Sequence, residues 1–361
     1  MEQQFIGIII SSQLYRELDR GNQPKVLAFY EEGGKINNLI PVYLRLEDLQ
    51  PGEPETTGFV MNINGEYQKY TIPKPFVIHN RGYHWTKDAK KQIKMLLAEG
   101  LIIFNEWNQY GKHKAHKLLM ESEEIRPHLP ETVRFNLGNM VKMMGKHREL
   151  IIKPNSGTFG KRNMRATRLN DTEWLLSYPQ QDMWLEEMYS SDQLPLKIGS
   201  LLTSGLYIIQ ERIQLAEYNN NPFDLRVTVQ RNEDGEWQVT GMVGKVAKTG
   251  SFVTNVARGG ICISLEDILR NLPYLDEKQV VADVEQVSLM VAKQMGNQID
   301  NLADLGLDVG ITADGFPMFI ECNARDLRLA FRHALMFETW RETYITPICY
   351  GKYLLTKRNS Q

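Results

Sequence analysis

The stretch LDVGITADGFPMFIECNAR, residues 307–325, reads as two apolar strands, 307–312 and 316–322, folded about the turn Ala313-Asp314-Gly315. Asp-Gly between apolar runs is a strong hairpin signal, because both residues tolerate the backbone conformation that a tight two-stranded turn demands. Pairing the strands brings Asp308 and Glu321 to the same open end, with Asn323 just beyond. Oxygen donors clustered in this way suit a hard divalent cation, and magnesium held by few protein carboxylates shares its coordination with nucleotide phosphates. The same residues also fit an ordinary hairpin carrying two solvated acids, so the rest of the chain has to decide.

At 361 residues the chain is long enough for two or three packed units. A net charge of −2 argues against a nucleic-acid partner held mainly by phosphate neutralisation. No apolar run approaches the length of a bilayer span, and the run 5–10 is too short for the core of a signal peptide. Three scattered cysteines, Cys262, Cys322 and Cys349, fit reduced thiols in a cytoplasmic compartment better than a disulfide framework.

Strand-like runs FIGIII, KVLAFY, PVYLRL and PFVIHN alternate with helical segments at 13–19 and 86–99, which predicts an N-terminal α/β unit over residues 1–104. A second unit, 105–205, has a basic helix from about 111 to 119, a helix at 137–147, strands at 132–135, 149–153 and 163–169, and a helix over 191–204 broken by Pro195. A third, 206–361, holds the strands YIIQERI, DLRVTVQR and WQVTGMVGKVA, a long helix at 276–295 and the hairpin quoted above.

Several of these segments could carry chemistry. LIIKPNSGTFGKRNMRA ends an apolar strand on Lys153 and then supplies Asn155, Ser156, Gly157, Thr158 and Gly160 before Lys161. Small residues let backbone N–H groups approach phosphates, and a strand-end lysine offers them a charge; a plain hairpin is the alternative, and the Walker A order is absent. In YIIQERI an apolar strand runs into polar residues, as a hinge reading an adenine edge would, or as a sheet strand with a solvated end. Asp224 and Arg226 share one strand face, either as a surface ion pair or with Arg226 turned to a phosphate. Asn255, Arg258, Gly259 and Gly260 follow a strand bearing Lys245 and have the makeup of an anion-binding loop.

In this order, IIKPNSGTFGK, IIQERI, DLR, FVTNVARGG and LDVGITADGFPMFIECN resemble the ATP-grasp superfamily over about residues 111–350, with motifs similar to RimK-like ligases and an overall pattern similar to the endospore coat-associated YheC/YheD family. The resemblance implies an α/β and α+β chain: an N-terminal α/β domain followed by an ATP-grasp fold, whose two α+β subdomains clasp ATP. It implies that Lys153 binds phosphate, that 155–161 forms a loop over the nucleotide, and that Gln210, Glu211 and Ile213 hold adenine. Asp224 resembles a ribose-side or nucleotide contact, Arg226 an orienting partner of phosphate or the activated intermediate, and Asn255 and Arg258 the loop meeting the triphosphate and acceptor. Asp308, Glu321 and Asn323 match the magnesium ligands, for two Mg²⁺ ions or Mn²⁺ in their place.

The activity implied is a carboxylate–amine ligation through an acyl phosphate, on an unknown carboxylate substrate. A link to sporulation and to spore-coat partners, in the mother cell or developing spore, is implied too. A non-catalytic, ATP-binding assembly protein of the coat is the competing expectation, since a fold does not guarantee an activity. Two positions depart from the family pattern. Gly111-Lys112 stands where an Asp-Lys pair opens the central helix, and Ala324-Arg325 replaces a small-Pro-Gly continuation after Asn323.

Overall fold

The computed structural model describes residues 4–84, 86–108, 110–157, 162–181, 183–203, 205–251, 254, 256, 259–323 and 325–359. Their strands form three sheets. In the first, Gln4–Ile9 runs parallel to Leu39–Leu44 on one side and to Val77–Asn80 on the other, with Ile102–Phe104 beyond. These strands are buried on both faces, which is why they read as unbroken apolar runs. An antiparallel hairpin, Glu55–Met61 with Tyr67–Pro73, extends the edge.

KVLAFY, predicted above as a strand, is instead the start of the helix Lys25–Asn37. Its apolar residues satisfy both periods over so short a run, and Pro24 at the boundary favours a helix start. This helix packs against Phe337–Asn359, counted above with the third unit, through contacts such as Gly33 against Ile348. Both helices cover the face of the first sheet that presents Ile6, Ile8 and Val77. The helix Lys87–Ala98 covers the other face, on Ile9, Val42 and Ile78.

The middle sheet carries Glu149–Pro154 at its centre, between Met164–Arg168 and Tyr207–Glu211. Glu173–Gln180 and Met183–Ser190, for which no element is predicted above, extend it as a hairpin. One face buries Leu150, Ile152, Tyr207 and Ile209 under the helices Leu137–Lys146 and Gln193–Leu201. Pro195 sits in the first turn of the latter helix and does not break it, since the N–H it lacks is one of those that turn leaves unpaired.

The third sheet is antiparallel, with Asn221–Arg231 between Trp237–Val246 and Asp304–Ile311, and Pro317–Asn323 next to the latter. The alternation in FDLRVTVQR decides its orientation. Phe223, Leu225, Val227 and Val229 bury against the helix Glu277–Gln298, leaving Asp224, Arg226, Thr228 and Gln230 on the opposite face. After Glu211 the chain crosses from the middle sheet to this one, where Leu215 bridges to Thr312 and Ala216 donates to the Ile311 carbonyl.

Candidate functional site

The polar face of the third sheet is a continuous charge network. Arg226 lies opposite Asp308, which in turn lies opposite Glu321, so all three share one face. Asp308 Oδ1 accepts from both Arg226 Nε (2.8 Å) and Lys245 Nζ (2.9 Å). Lys245 also meets Asp224 Oδ1 at 2.9 Å, and the Thr254 hydroxyl donates to the other oxygen of Asp224. Arg226 Nη1 donates to Asp326 Oδ1 at 2.8 Å, with Asp326 completed by the Thr228 hydroxyl and by the backbone N–H of Arg328. Gly306 permits this approach, because a Cβ there would stand 2.7 Å from Asp326 Cγ.

Burial alone would neutralise these groups. At Asp308 it pushes the carboxyl pKa up, yet Arg226 and Lys245 outweigh it and hold the group ionised well below its ordinary range. Lys245 is raised for the mirror-image reason: burial favours the neutral amine, and Asp224 with Asp308 overcomes it.

Facing that network across a crevice between the two sheets, the face of the middle sheet turned away from the helices Leu137–Lys146 and Gln193–Leu201 carries Lys153, opposite Ile208. Lys153 is buried, and burial pulls its pKa down to about 8, against the attraction of Glu321 and Asp308 and with the repulsion of Lys112. Lys112 opens the helix Lys112–Leu119, and its Nζ lies 3.3 Å from Glu321 Oε2 and 3.3 Å from the Gly157 carbonyl. At Glu321 burial raises the pKa, but Lys112, Lys153 and Lys245 prevail over it and over Asp308, leaving the carboxyl low. Lysines of the middle unit and acids of the third unit therefore face one another across the two sheets.

Asn155 is committed elsewhere. Its Oδ1 accepts from the backbone N–H of His113 (2.8 Å) and its carbonyl from that of Lys112 (2.9 Å), so it caps the helix that Gly111 leaves without a side-chain cap. Gly157 adopts φ +134° at the end of the described part of the loop. Gln210 is buried and donates to the Thr132 hydroxyl at 2.8 Å. Glu211 points to the opposite face of its strand, where its carboxylate accepts from Glu131 N (2.9 Å) and meets His147 Nδ1 (3.1 Å). What this stretch offers the crevice is thus its backbone and the Gln210 side. Ile213 is half-buried in the crossing segment. Thr158, Gly160, Lys161, Asn255 and Arg258 lie outside the described residues.

Asp308, Glu321 and Asn323 supply two carboxylates and one amide oxygen on a common face, the donor chemistry of a hard cation. Among the described residues no group of three or more His, Cys, Asp or Glu side chains is arranged to hold a metal. This set is therefore no all-protein cage, and a metal here needs further oxygens, such as those of phosphate. Asp308 keeps Oδ2 for that purpose, and Asn323 Nδ2 already orients toward Glu321 Oε1 at 3.4 Å.

Sequence reasoning gave no site role to Lys112, noted only as the second residue of the Gly111-Lys112 pair that opens the basic helix, nor to Lys245, which the structure sets opposite Asp224. His79 lies in, and Arg81 follows, the strand Val77–Asn80 of the first sheet. Both reach the third sheet: His79 Nε2 and Arg81 Nη1 each lie 3.3 Å from Asp304 Oδ2.

Two facing sheets, with a lysine-bearing crevice on one side and an acid-bearing strand pair on the other, behind an N-terminal α/β domain, define an ATP-grasp fold. The YheC/D-like ATP-grasp family model matches residues 100–354, and the chain belongs to that family. It is 24% identical over 323 residues to the endospore coat-associated protein YheD of Bacillus subtilis (strain 168), spanning 83% of this chain and 67% of that protein. It is 19% identical over 306 residues to YheC of the same organism, spanning 80% of each. Among solved structures it is similar to D-alanyl-alanine synthetase A from Vibrio cholerae, with TM-score 0.54 and 10% identity over 98% of this chain and 99% of that one. A Chryseobacterium gregarium RiPP-associated ATP-grasp ligase, solved with ADP and a leader and core peptide, gives TM-score 0.55 and 12% identity over 96% and 97%. At these identities the likeness concerns the fold.

Proposed function

We propose that this protein binds magnesium-ATP between its middle and third sheets and uses it to activate a carboxylate for attack by an amine or similar nucleophile. One observation carries the reading: Lys112 and Lys153 converge from one side on Glu321 and Asp308 from the other. Nothing in a simple structural hairpin calls for two lysines to be brought to its acids from another sheet.

In this reading Lys153 and Lys112 hold the phosphates, and the backbone of 210–213 holds the base. Magnesium, when bound through Asp308, Glu321 and Asn323, neutralises phosphate oxygens. Arg226, fixed by Asp308 and Asp326, presents its remaining edge toward the transferred group, and its two acids keep it from swinging away. The γ-phosphorus bond to the bridging oxygen breaks as a substrate carboxylate oxygen bonds to phosphorus. The nucleophile then bonds to the carbonyl carbon of the acyl phosphate as its carbon–oxygen bond to phosphate breaks, releasing inorganic phosphate and the nucleophile's proton. Such transfer depends on positioning and charge neutralisation, which these residues supply, and needs no side-chain nucleophile.

A second reading, nucleotide binding without ligation, draws on the double engagement of Asp308 Oδ1 by Arg226 and Lys245 and on the names of the endospore coat-associated relatives. A role in sporulation, with partners in the coat, belongs to either reading. Among the described residues no helix is long and apolar enough to cross a membrane.

ADP release in the presence of peptide and amino-acid pools separates the two. Substrate-stimulated release in the wild type, abolished in Glu321→Ala with the fold retained, supports the ligase. Stabilisation by magnesium-ATP with no turnover on any pool favours the binding protein.

A further inference from the structure

Beyond Asn80 the chain runs through Arg81, Gly82, Tyr83 and His84 along the seam between the first and third sheets. Arg81 spans that seam, donating to Asp304 Oδ2 (3.3 Å) and to the Asp326 carbonyl. The two acids there are already shared, Asp304 with Arg328 and Asp326 with Arg226. Arg325 lies beside them with its guanidinium carbon 5.6 Å from the Tyr83 ring centroid, close enough to feel the charge of Arg81 and to act on His84.

Arg325 differs from the other arginines of the seam. Among the described residues it makes no ion pair, and its Nε is buried without a hydrogen-bond partner. A guanidinium that is half-buried, with its Nε cut off from water and unpaired, and that stands beside a second cation is stabilised when an anion arrives to meet it. Burial lowers the pKa of His84, which favours its neutral form, and Arg81 is already paired, so one positive charge is left over. A single carboxylate matches one leftover charge, and its two oxygens match the guanidinium fork.

Resting on the function proposed above, we propose that Arg325 binds a second, non-reacting carboxylate of the substrate, which is therefore a dicarboxylate of the kind a glutamyl or aspartyl group provides. Arg325 follows Asn323 by two positions, so no more than about 7 Å of extended chain separates it from the candidate metal ligands. That reach is comparable to the span of a short diacid. Ala324-Arg325, the departure from the family pattern noted in the sequence, is then the feature that selects the substrate.

The test is calorimetric titration of the full chain saturated with magnesium-ADP, using glutarate, butyrate and 4-phosphonobutyrate as probes. The wild type is expected to bind glutarate at least tenfold more tightly than butyrate and no more weakly than the phosphonate. Arg325→Gln is expected to erase the preference for glutarate while its magnesium-ADP affinity stays unchanged, and Arg325→Lys to restore part of it. Equal binding of glutarate and butyrate, a marked preference for the phosphonate, or a preference that survives in Arg325→Gln overturns the inference alone. Absence of magnesium-ADP binding in the wild type overturns the reading of the crevice, and this inference with it.

Discussion

Asn155 caps the helix that begins at Lys112: its Oδ1 accepts from the backbone N–H of His113 at 2.8 Å, joining the end of the Lys153 strand to the helix carrying the second lysine of the crevice. The arrangement explains Gly111. A Cβ there would stand 2.2 Å from Asn155 Nδ2, so a side chain at 111 and the cap from 155 exclude one another. Replacing Asn155 by Ala is expected to cost about 1 kcal/mol of stability, as loss of a helix cap does. It is also expected to weaken nucleotide binding, because Lys112 loses its anchor; Asn155→Asp, which retains the acceptor, is expected to keep most of the stability. Urea melts and magnesium-ADP titrations measure the two effects.

Lys153 has its pKa pulled down to about 8 by burial, so the lysine required for phosphate binding begins to lose its proton just above neutrality. Magnesium-ADP affinity is expected to be level below pH 8 and to fall with a slope approaching tenfold per pH unit above it. Lys153→Met is expected to bind weakly at every pH, with no inflection near 8. A wild-type profile that stays level to pH 10 would remove Lys153 from the phosphate site.

Asp304 holds the seam together, accepting from Arg328, Arg81 and Gln230 with His79 beside it. Asp304→Asn leaves Arg328, a fully buried cation, without its carboxylate. Breaking one partner out of a buried pair costs about 3–5 kcal/mol, and chemical denaturation is expected to show a loss of that order. A loss below 1 kcal/mol would mean that the seam is far better hydrated than its burial suggests.

Glu31, hydrogen-bonded to Tyr43 within the N-terminal domain, supplies a pH signature of that domain. Burial raises its pKa from the ordinary 4.5 to about 7, outweighing the hydrogen bond from the Tyr43 hydroxyl at 2.7 Å. The folded state therefore holds a proton that the unfolded chain has released between those two values. The stabilisation from this proton is complete below pH 4.5 and lost as pH rises through 7, on the order of 3 kcal/mol in all. Glu31→Gln, which mimics the protonated form, is expected to flatten that part of the stability profile and to be the more stable protein at pH 8.

The alternation in FDLRVTVQR and the Asp-Gly hairpin made the third sheet legible, because period-two patterns and turn residues are local signals. They also brought Asp308 and Glu321 to one end of the hairpin and Asp224 and Arg226 to one strand face; a bulge between Asp308 and Val309, which the turn does not announce, is what sets Glu321 opposite Asp308. Lys112 was illegible because its partner Glu321 lies near the other end of the sequence, and only the packing of two sheets brings them together. KVLAFY misled for a related reason: over six residues its apolar pattern serves either period, and the helix is decided by Pro24 and by the distant helix it packs on. The crossing of Arg81 to Asp304 was likewise hidden, since nothing near Arg81 in sequence announces an acid on another sheet.

Calorimetric titration of ADP with and without magnesium, in the wild type and in Glu321→Gln, tests most directly whether the two sheets hold a metal-bound nucleotide. Magnesium is expected to tighten ADP binding at least tenfold in the wild type, and that gain is expected to vanish in Glu321→Gln while metal-free binding persists through Lys112 and Lys153. Equal affinity with and without magnesium in the wild type, or the full gain in the variant, would contradict the account.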